Sequence, residues 1–339
     1  MDQFSRILVR ATNWVGDAVM SIPALEAIRA RFPKAHITIL AKPWVADVYR
    51  GAAFCDRILI YHPQRGFGDF RAKWRLSRVL KGIGFDLAIL LPNSFDAALV
   101  PFLAGIPKRI GYARDGRGLL LTDAVARPAA GEIPVHERFY YLELLRRAGF
   151  LSALPADAPI HLRVTPHYYE MPVIGLSPGA AYGTAKRWLP ESFASTAVSL
   201  ASHWKGSRAI VFGTQGEADV CEQVAELIRR RGVAAESLGG KTNLYEFMEH
   251  AAACRVFVTN DNGAMHLVSA LGVPTVAVFG ATRHLTTGPT GDRAVVVRQT
   301  VDCSPYPHPC LLRECPIDHR CMSAVTPERV VTEALKIVG

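Results

Sequence analysis

Short β-branched runs alternate with helix-forming segments along this chain, and after one interruption the same alternation begins again. Alternation of this kind is typical of parallel βαβ units and predicts an α/β fold. The predicted strands are residues 6–10, 36–40, 57–61 and 86–91 in the first half, and 173–177, 208–212, 255–259, 275–279 and 294–297 in the second.

The interruption lies at residues 152–172, which contain four prolines and little periodicity. A length of 339 residues suits two domains. We therefore predict a first domain over 1–160, a second over 161–325, and a C-terminal helix over 326–339 for which a return to the first domain stays open. Two doubly wound domains in tandem would face each other across a cleft, with ligands at the carboxyl ends of the strands.

The charge balance favours an anionic partner, because 39 Lys and Arg outnumber 30 Asp and Glu and leave a net charge of +9. The densest basic stretch, residues 65–81, alternates cations with apolar residues and predicts an amphipathic helix. An ordinary solvated surface and a membrane-facing or acceptor-facing role both remain open for it. Its central cations are Arg71, Lys73, Arg75, Arg78 and Lys81.

Neither a membrane-spanning run nor a secretory signal is recognisable, so we expect a cytoplasmic protein. The seven cysteines argue against a disulfide framework. Four of them are spaced C-x6-C-x4-C-x5-C, at Cys303, Cys310, Cys315 and Cys321. Zinc sites normally show closer CxxC pairs, so packing or local loop structure is favoured over metal binding and no metal ligands are assigned.

Three loops that follow predicted strands carry unusual residues. In the first, NWVGDAVMSIP, Gly16 allows a tight turn and Asp17 stands at a helix start. Asp17 could simply cap the helix, but an acidic side chain at the mouth of a cleft is also well placed to act as a general base.

The second loop, residues 177–188, combines small residues with Lys186 and Arg187, which suits a diphosphate. It matches neither the P-loop nor the GxGxxG pattern. The third loop, residues 259–266, places Asn262 and Gly263 before a helix, so the first helical amides could bind an anion. The same residues could also form a plain helix cap.

Four motifs together resemble the heptosyltransferases of lipopolysaccharide core synthesis, in the same order along the chain. The pattern is closest to the members that add a second heptose, and LPNSFDAAL with RIGYARDGRGLLLTDAV extends the likeness over residues 91–125. The four motifs are NWVGDAVMSIP, PGAAYGTAKRWLPE, NDNGAMHLVSALGVPTVAVFG and CSPYPHPCLLRECPIDHRC.

This resemblance implies a GT-B fold of two Rossmann-like domains, an ADP-L-glycero-D-manno-heptose donor, and transfer with inversion. It implies an anionic acceptor, heptosyl-Kdo-lipid A, at the inner face of the inner membrane, where the protein could attach peripherally. It places the catalytic base at Asp17, diphosphate binding at Lys186 and ribose binding at Glu217. The implied donor loop is Asp261, Asn262, Gly263, Ala264, Met265 and His266, and the candidate acceptor residues are Asn13, Asn93 and Arg114.

Other functions stay open at this point. A GT-B transferase with another nucleotide sugar would need the same loops. A nucleic-acid-binding protein would explain the positive charge but lacks a recognisable motif, so we expect no nucleic-acid partner. A Rossmann oxidoreductase is disfavoured by the missing glycine fingerprint. We expect no cofactor, and the absence of a DxD motif predicts that protein cations alone stabilise the leaving diphosphate.

Overall fold

The computed structural model describes residues 4–64 and 66–339, and the chain divides into two compact units, residues 1–158 and 159–339. Arg65, at the start of the predicted basic helix, lies outside the described residues. Residues 152–172 contain no helix or strand. The predicted α/β class is confirmed, because each unit contains one six-stranded sheet whose neighbouring strands all run parallel.

The first unit is a doubly wound sheet of order β3-β2-β1-β4-β5-β6. Its strands are β1 (Arg6–Arg10), β2 (His36–Ala41), β3 (Arg57–Ile60), β4 (Leu87–Leu90), β5 (Lys108–Tyr112) and β6 (Asp123–Val125). Its helices are α1 (Val15–Met20), α2 (Ile22–Arg31), α3 (Pro43–Ala46), α4 (Phe67–Ile83), α5 (Phe95–Leu103) and α6 (Arg138–Arg147). Apart from Arg6, the residues of the central strands β1 and β4 are buried, as expected for a parallel sheet covered on both faces.

The second unit repeats this winding, with strand order β12-β11-β10-β7-β8-β9. Its strands are β7 (Val173–Ser177), β8 (Arg208–Val211), β9 (Ala235–Ser237), β10 (Val256–Asn260), β11 (Thr275–Phe279) and β12 (Ala294–Arg298). Its helices are α7 (Pro190–His203), α8 (Ala218–Arg229), α9 (Leu244–Ala252), α10 (Gly263–Ala270), α11 (His284–Thr287), α12 (Arg320–Ser323) and α13 (Pro327–Val338). The last helix packs against α7, β11 and β12.

In each sheet, successive strands are added first on one side of the starting strand and then on the other. This switch point lies between β1 and β4 in the first sheet and between β7 and β10 in the second. In doubly wound sheets, ligands bind beyond the carboxyl ends of the strands at this switch point. The chain segments that follow these four strands therefore form the expected binding edge of each unit.

The sequence of residues 17–31 predicts a single helix, and this prediction is wrong, because the structure has two helices that meet at Ser21. Pro23 has no amide hydrogen and cannot continue the hydrogen-bond ladder of α1. The Ser21 hydroxyl donates to the Ala18 carbonyl at 2.8 Å, and a new turn begins as Leu25 N–H donates to the Ser21 carbonyl at 3.1 Å. Asp17 is consequently carried by a separate helix of six residues.

Candidate active site

Asp17 lies in the first turn of α1, a few residues beyond the carboxyl end of the central strand β1. Its carboxylate is largely shielded from solvent, and no hydrogen-bond or ion-pair partner for it is found in the part of the chain that the structure describes. Burial raises the pKa of Asp17 to about 6. An unpaired carboxylate with a raised pKa can accept a proton near neutral pH, which is what a general base requires.

Three further titratable side chains, none of them predicted from the sequence, interact electrostatically with this carboxylate. Burial, and then the charge of Asp17, raises the pKa of Glu137 at the start of α6. Asp17 also contributes, after burial, to the raised pKa values of Tyr49 and Tyr141. These residues lie 32, 120 and 124 positions from Asp17 along the chain, so no local sequence signal could have grouped them.

The candidate acceptor residues of the first unit follow three adjacent strands. Asn13 follows β1, and its side-chain oxygen accepts from Arg10 Nη2 at 3.2 Å. Asn93 follows β4 and donates to Tyr140 Oη at 2.9 Å. Arg114 follows β5, is exposed, and lies 3.3 Å from Asp115. The sheet order β1-β4-β5 brings all three to one edge.

In the second unit, Asn260 joins the two loops at the switch point. It is fully buried at the end of β10. Its side-chain oxygen accepts from the Trp188 amide at 2.9 Å, and its nitrogen donates to the Pro178 carbonyl at 2.7 Å. One amide side chain therefore fixes both ends of the loop that carries Lys186.

Lys186 forms an ion pair with Asp261, with 2.6 Å between Nζ and Oδ2. Asp261 is buried, and its Oδ2 also accepts from the Thr282 hydroxyl at 2.6 Å. Lys186 Nζ stands 4.7 Å from the centre of the Tyr182 ring, which favours the cation further. The structure thus brings Lys186 and the donor loop together, as the sequence analysis expected them to act together.

The donor loop begins with Asn262, the N-cap of α10. Asn262 Oδ1 accepts from the Met265 amide at 3.1 Å, and Nδ2 donates to the Gly179 carbonyl at 2.8 Å. The amides of Gly263 and Ala264 start the helix and have no acceptor within it, so they are available to an anion. Asn262 therefore both caps the helix and ties it to the loop after β7.

Met265 and His266 are buried, at 0 % and 6 % exposure. The Met265 side chain packs with Ala277 and Phe279 in the core, and its amide is already bonded to Asn262. Within the predicted donor loop, the groups accessible to a ligand are therefore concentrated at residues 262–264, which are only partly buried.

Glu217 closes a capping box with Thr214 after β8. Its Oε2 accepts from the Thr214 amide at 2.9 Å and from the Thr214 hydroxyl at 2.8 Å. A Cβ at Gly179 would lie 2.2 Å from Glu217 Oε1, so only glycine at position 179 lets this carboxylate approach the loop after β7. The structure places Glu217 beside the loop of Lys186.

Arg313 is a further neighbour that the sequence analysis missed. Its Nε donates to the Tyr182 carbonyl at 2.9 Å, and its guanidinium lies 5.2 Å from the Tyr182 ring centre. The Ala185 amide donates to the Arg313 carbonyl at 3.0 Å. The segment between β12 and α12 therefore supports the loop that presents Lys186.

The four late cysteines, three in that segment and Cys321 in α12, are free thiols. Burial and then the neighbouring Cys303, Cys310 and Cys315 raise the pKa of Cys321 to about 11. The Cys315 sulfur accepts from the His319 amide at 3.3 Å. Over residues 4–64 and 66–339, no cluster of three or more His, Cys, Asp or Glu is placed to hold a metal ion.

Comparison with known proteins identifies the family. A model of glycosyltransferase family 9 (heptosyltransferase) matches residues 73–318. The lipopolysaccharide heptosyltransferase 2 of Salmonella typhimurium is 31% identical over 311 residues, covering 86% of this chain and 88% of that protein. The Escherichia coli protein of the same name is 30% identical over 307 residues, with the same coverage.

A solved structure supports the same assignment. The structure of Escherichia coli ADP-heptose lps heptosyltransferase II matches with a TM-score of 0.81 and 28% identity, covering 98% of both chains. This match confirms the predicted GT-B fold class. The chain therefore belongs to glycosyltransferase family 9, the heptosyltransferase family, and is a glycosyltransferase.

Proposed function

We propose that this chain transfers L-glycero-D-manno-heptose from ADP-heptose to the first heptose of a lipopolysaccharide inner-core acceptor, with inversion. The names of its relatives support the substrates. Among the structural features, the unpaired carboxylate of Asp17 carries the proposal, because its raised pKa at the carboxyl end of β1 suits the base that such a transfer needs.

In the proposed reaction, Asp17 accepts the proton of the acceptor hydroxyl as that oxygen attacks the anomeric carbon of the heptose. The new carbon–oxygen bond forms while the bond to the ADP phosphate breaks, so the anomeric configuration inverts. Negative charge grows on the diphosphate as it leaves. Preorganised cations and amides near that charge lower the barrier, since they interact more strongly with the transition state than with the bound donor.

The second unit offers the groups that this leaving diphosphate requires. Lys186 supplies a cation, and the free amides at Gly263 and Ala264 supply helix-start donors. Glu217 has one carboxylate oxygen engaged by Thr214, which leaves Oε1 for a ribose hydroxyl. Asp261 holds Lys186 in place, and Thr282 in turn holds Asp261.

We also propose that helix α4 attaches the protein to an anionic membrane surface. Phe70 and Trp74, one turn apart, are 54% and 49% exposed. The same helix carries four exposed cations: Arg71, Arg75, Arg78 and Lys81. Asp69, the acidic residue of this helix, is engaged by Lys73 at 2.5 Å and by the Tyr61 hydroxyl at 2.6 Å. Exposed aromatics among cations suit the headgroup region of an anionic bilayer. In the described residues no helix is long and apolar enough to cross a membrane.

The donor and acceptor are tested by product mass. We expect the purified protein to add one heptose to a mono-heptosylated acceptor when given ADP-heptose. UDP- and GDP-sugars are the comparison donors, because the same loops could bind any nucleotide diphosphate. Transfer from one of those sugars, with none from ADP-heptose, would replace the proposed donor.

Replacing Asp17 with Asn should lower kcat/KM by about 10²–10⁴-fold, because an amide cannot accept the proton. In the unmodified enzyme, kcat/KM should fall tenfold per pH unit below about 6, where Asp17 becomes protonated. Steady-state kinetics from pH 5 to 8 measure both effects. Asp123→Asn, on the edge strand β6, is the matched control. A variant at position 17 that keeps its activity would remove Asp17 from the role of base.

Asp17→Asn should also have a higher free energy of unfolding than the unmodified protein at pH 7.5. Because the folded-state pKa of Asp17 is raised, the folded protein holds this proton more tightly than the unfolded chain. Stability is therefore lost as pH rises from about 4 through 6 and stays lower above that. After allowance for partial exposure, we expect a gain of about 1–2 kcal/mol at pH 7.5 for Asp17→Asn. Urea unfolding should show this difference between the two proteins at pH 7.5 and almost none at pH 4.

For Lys186→Ala we expect the Kd for ADP to rise about tenfold or more, since a charge-assisted contact to phosphate is worth about 1.5–3 kcal/mol. Removing the lysine also leaves the buried Asp261 facing the phosphates. Calorimetric titration with ADP measures the change. Lys205→Ala, an exposed lysine of the same unit, controls for net charge. Equal ADP affinity in the two variants would exclude Lys186 from diphosphate binding.

Membrane attachment is tested by sedimentation with vesicles. The protein should bind phosphatidylcholine vesicles that contain phosphatidylglycerol, and not phosphatidylcholine alone. Arg75→Gln with Arg78→Gln should weaken binding about tenfold or more, because each basic residue near the surface contributes about 1 kcal/mol. Arg163→Gln with Arg231→Gln, two exposed arginines of the second unit, removes the same charge elsewhere. Equal loss in both pairs would refute a specific α4 surface.

A further inference from the structure

Arg10, the last residue of β1, is a buried cation. It is 4% exposed. Its Nη1 donates to the carbonyls of Ala11 and Leu40 at 2.8 and 3.1 Å, and its Nη2 donates to Asn13 Oδ1. All these partners are neutral, and no ion pair of Arg10 is found within the described ranges 4–64 and 66–339. Burying a guanidinium in this way is costly unless a charge elsewhere compensates it.

A second cation, Lys42, stands beside it. Lys42 follows β2 directly, and the register of β1 and β2 pairs Arg10 with Leu40, two residues earlier. Its ammonium lies 5.2 Å from the Trp44 ring centre. Like the Arg10 guanidinium, the Lys42 ammonium has no ion pair with any residue that the structure describes. Burial and then the charge of Arg10 lower the pKa of Lys42, as expected for two cations at the ends of neighbouring strands.

The acidic residues nearby are already engaged. Asp69 lies 2.5 Å from Lys73 and accepts from Tyr61 Oη at 2.6 Å. Asp96, at the start of α5, also pairs with Lys73. Three positive charges, on Arg10, Lys42 and Lys73, stand against two negative charges, on Asp69 and Asp96. The group therefore has a net charge of +1. One further anion would neutralise the group.

The position of this charge links it to the base. Arg10 fixes the side chain of Asn13, and Trp44 Nε1 donates to the Asn13 carbonyl at 2.8 Å. Asn13 and Asp17 belong to the same short segment after β1. An anion held by Arg10 and Lys42 would therefore lie next to the segment that carries Asp17.

We propose that Arg10 and Lys42 form a binding site for one acidic group of the acceptor, a carboxylate or a phosphate, which selects an anionic acceptor and orients its hydroxyl. This inference rests on the proposed function, since it concerns the acceptor of that reaction. The guanidinium, fixed by its hydrogen bonds, provides a planar donor, and the lysine ammonium provides a second charge for the anion. The site is distinct from Lys186, which belongs to the other unit and is neutralised by Asp261.

The test compares acidic and neutralised forms of one acceptor. Three versions are prepared: the mono-heptosylated acceptor itself, the same molecule with its sugar carboxylates esterified, and the same molecule without phosphate. We expect the unmodified enzyme to have an acceptor KM about tenfold or more lower for the form that carries the recognised group. The version whose KM rises identifies that group as carboxylate or phosphate.

Lys42→Met should raise the KM for the acidic acceptor until it is within about twofold of the KM for the neutralised form. The KM for ADP-heptose should stay within about twofold of its value in the unmodified enzyme. Lys42→Arg should restore most of the preference, because it restores the charge. Lys34→Met, an exposed lysine of the same unit, is the matched control and should keep the full preference. An undiminished preference in Lys42→Met would overturn the proposal.

Arg10→Lys serves as the second variant, because it keeps the charge and removes the planar fork. It should raise the acceptor KM while circular dichroism confirms that it folds. Calorimetric binding of the acidic acceptor, without donor, separates the two hypotheses. Binding that depends on Lys42 without heptose transfer would refute the proposed function alone. Transfer without any dependence on Lys42 would refute only the acidic-group site.

Discussion

A parallel sheet that is covered on both faces leaves one place where polar side chains can reach a ligand, the carboxyl edge at which the winding changes direction. This constraint organises both units. β1 and β4 flank the reversal in the first sheet, and β7 and β10 flank it in the second. The segments after these four strands contain Asp17, Asn93, Lys186 and Asn262. The chemistry of the protein follows from the strand order.

The two units use opposite electrostatic arrangements at equivalent positions. The first leaves the Asp17 carboxylate without a partner among the described residues and leaves one net positive charge around Arg10 and Lys42. The second neutralises its cation in advance, because Asp261 pairs with Lys186. An uncompensated buried charge destabilises the free protein, so a ligand of opposite charge binds there more favourably. A paired charge is cheaper to maintain and keeps its geometry when no ligand is bound.

The sequence predicted the buried strands to within one or two residues, because their continuous β-branched runs have few alternatives. Strands β5, β6 and β9 were missed: β5 begins with Lys108 and Arg109, and the other two are edge strands of three residues. The loops of Asp17, Lys186 and Asn262 were recognisable because each follows a predicted strand. Glu137, Arg10 and Arg313 were not, since their importance comes from neighbours that only the folded sheet brings close.

The support that Arg313 gives to the Tyr182 loop limits how this protein can be re-engineered. A Cβ at Gly183 would lie 2.1 Å from the Arg313 carbonyl, so the two backbones are in direct contact. The Tyr182 hydroxyl also donates to the Leu311 carbonyl at 3.2 Å. A nucleotide-binding loop grafted from another transferase would therefore lose its scaffold unless residues 311–313 were transplanted with it. These two stretches, 129 residues apart in the chain, have to be exchanged as one module.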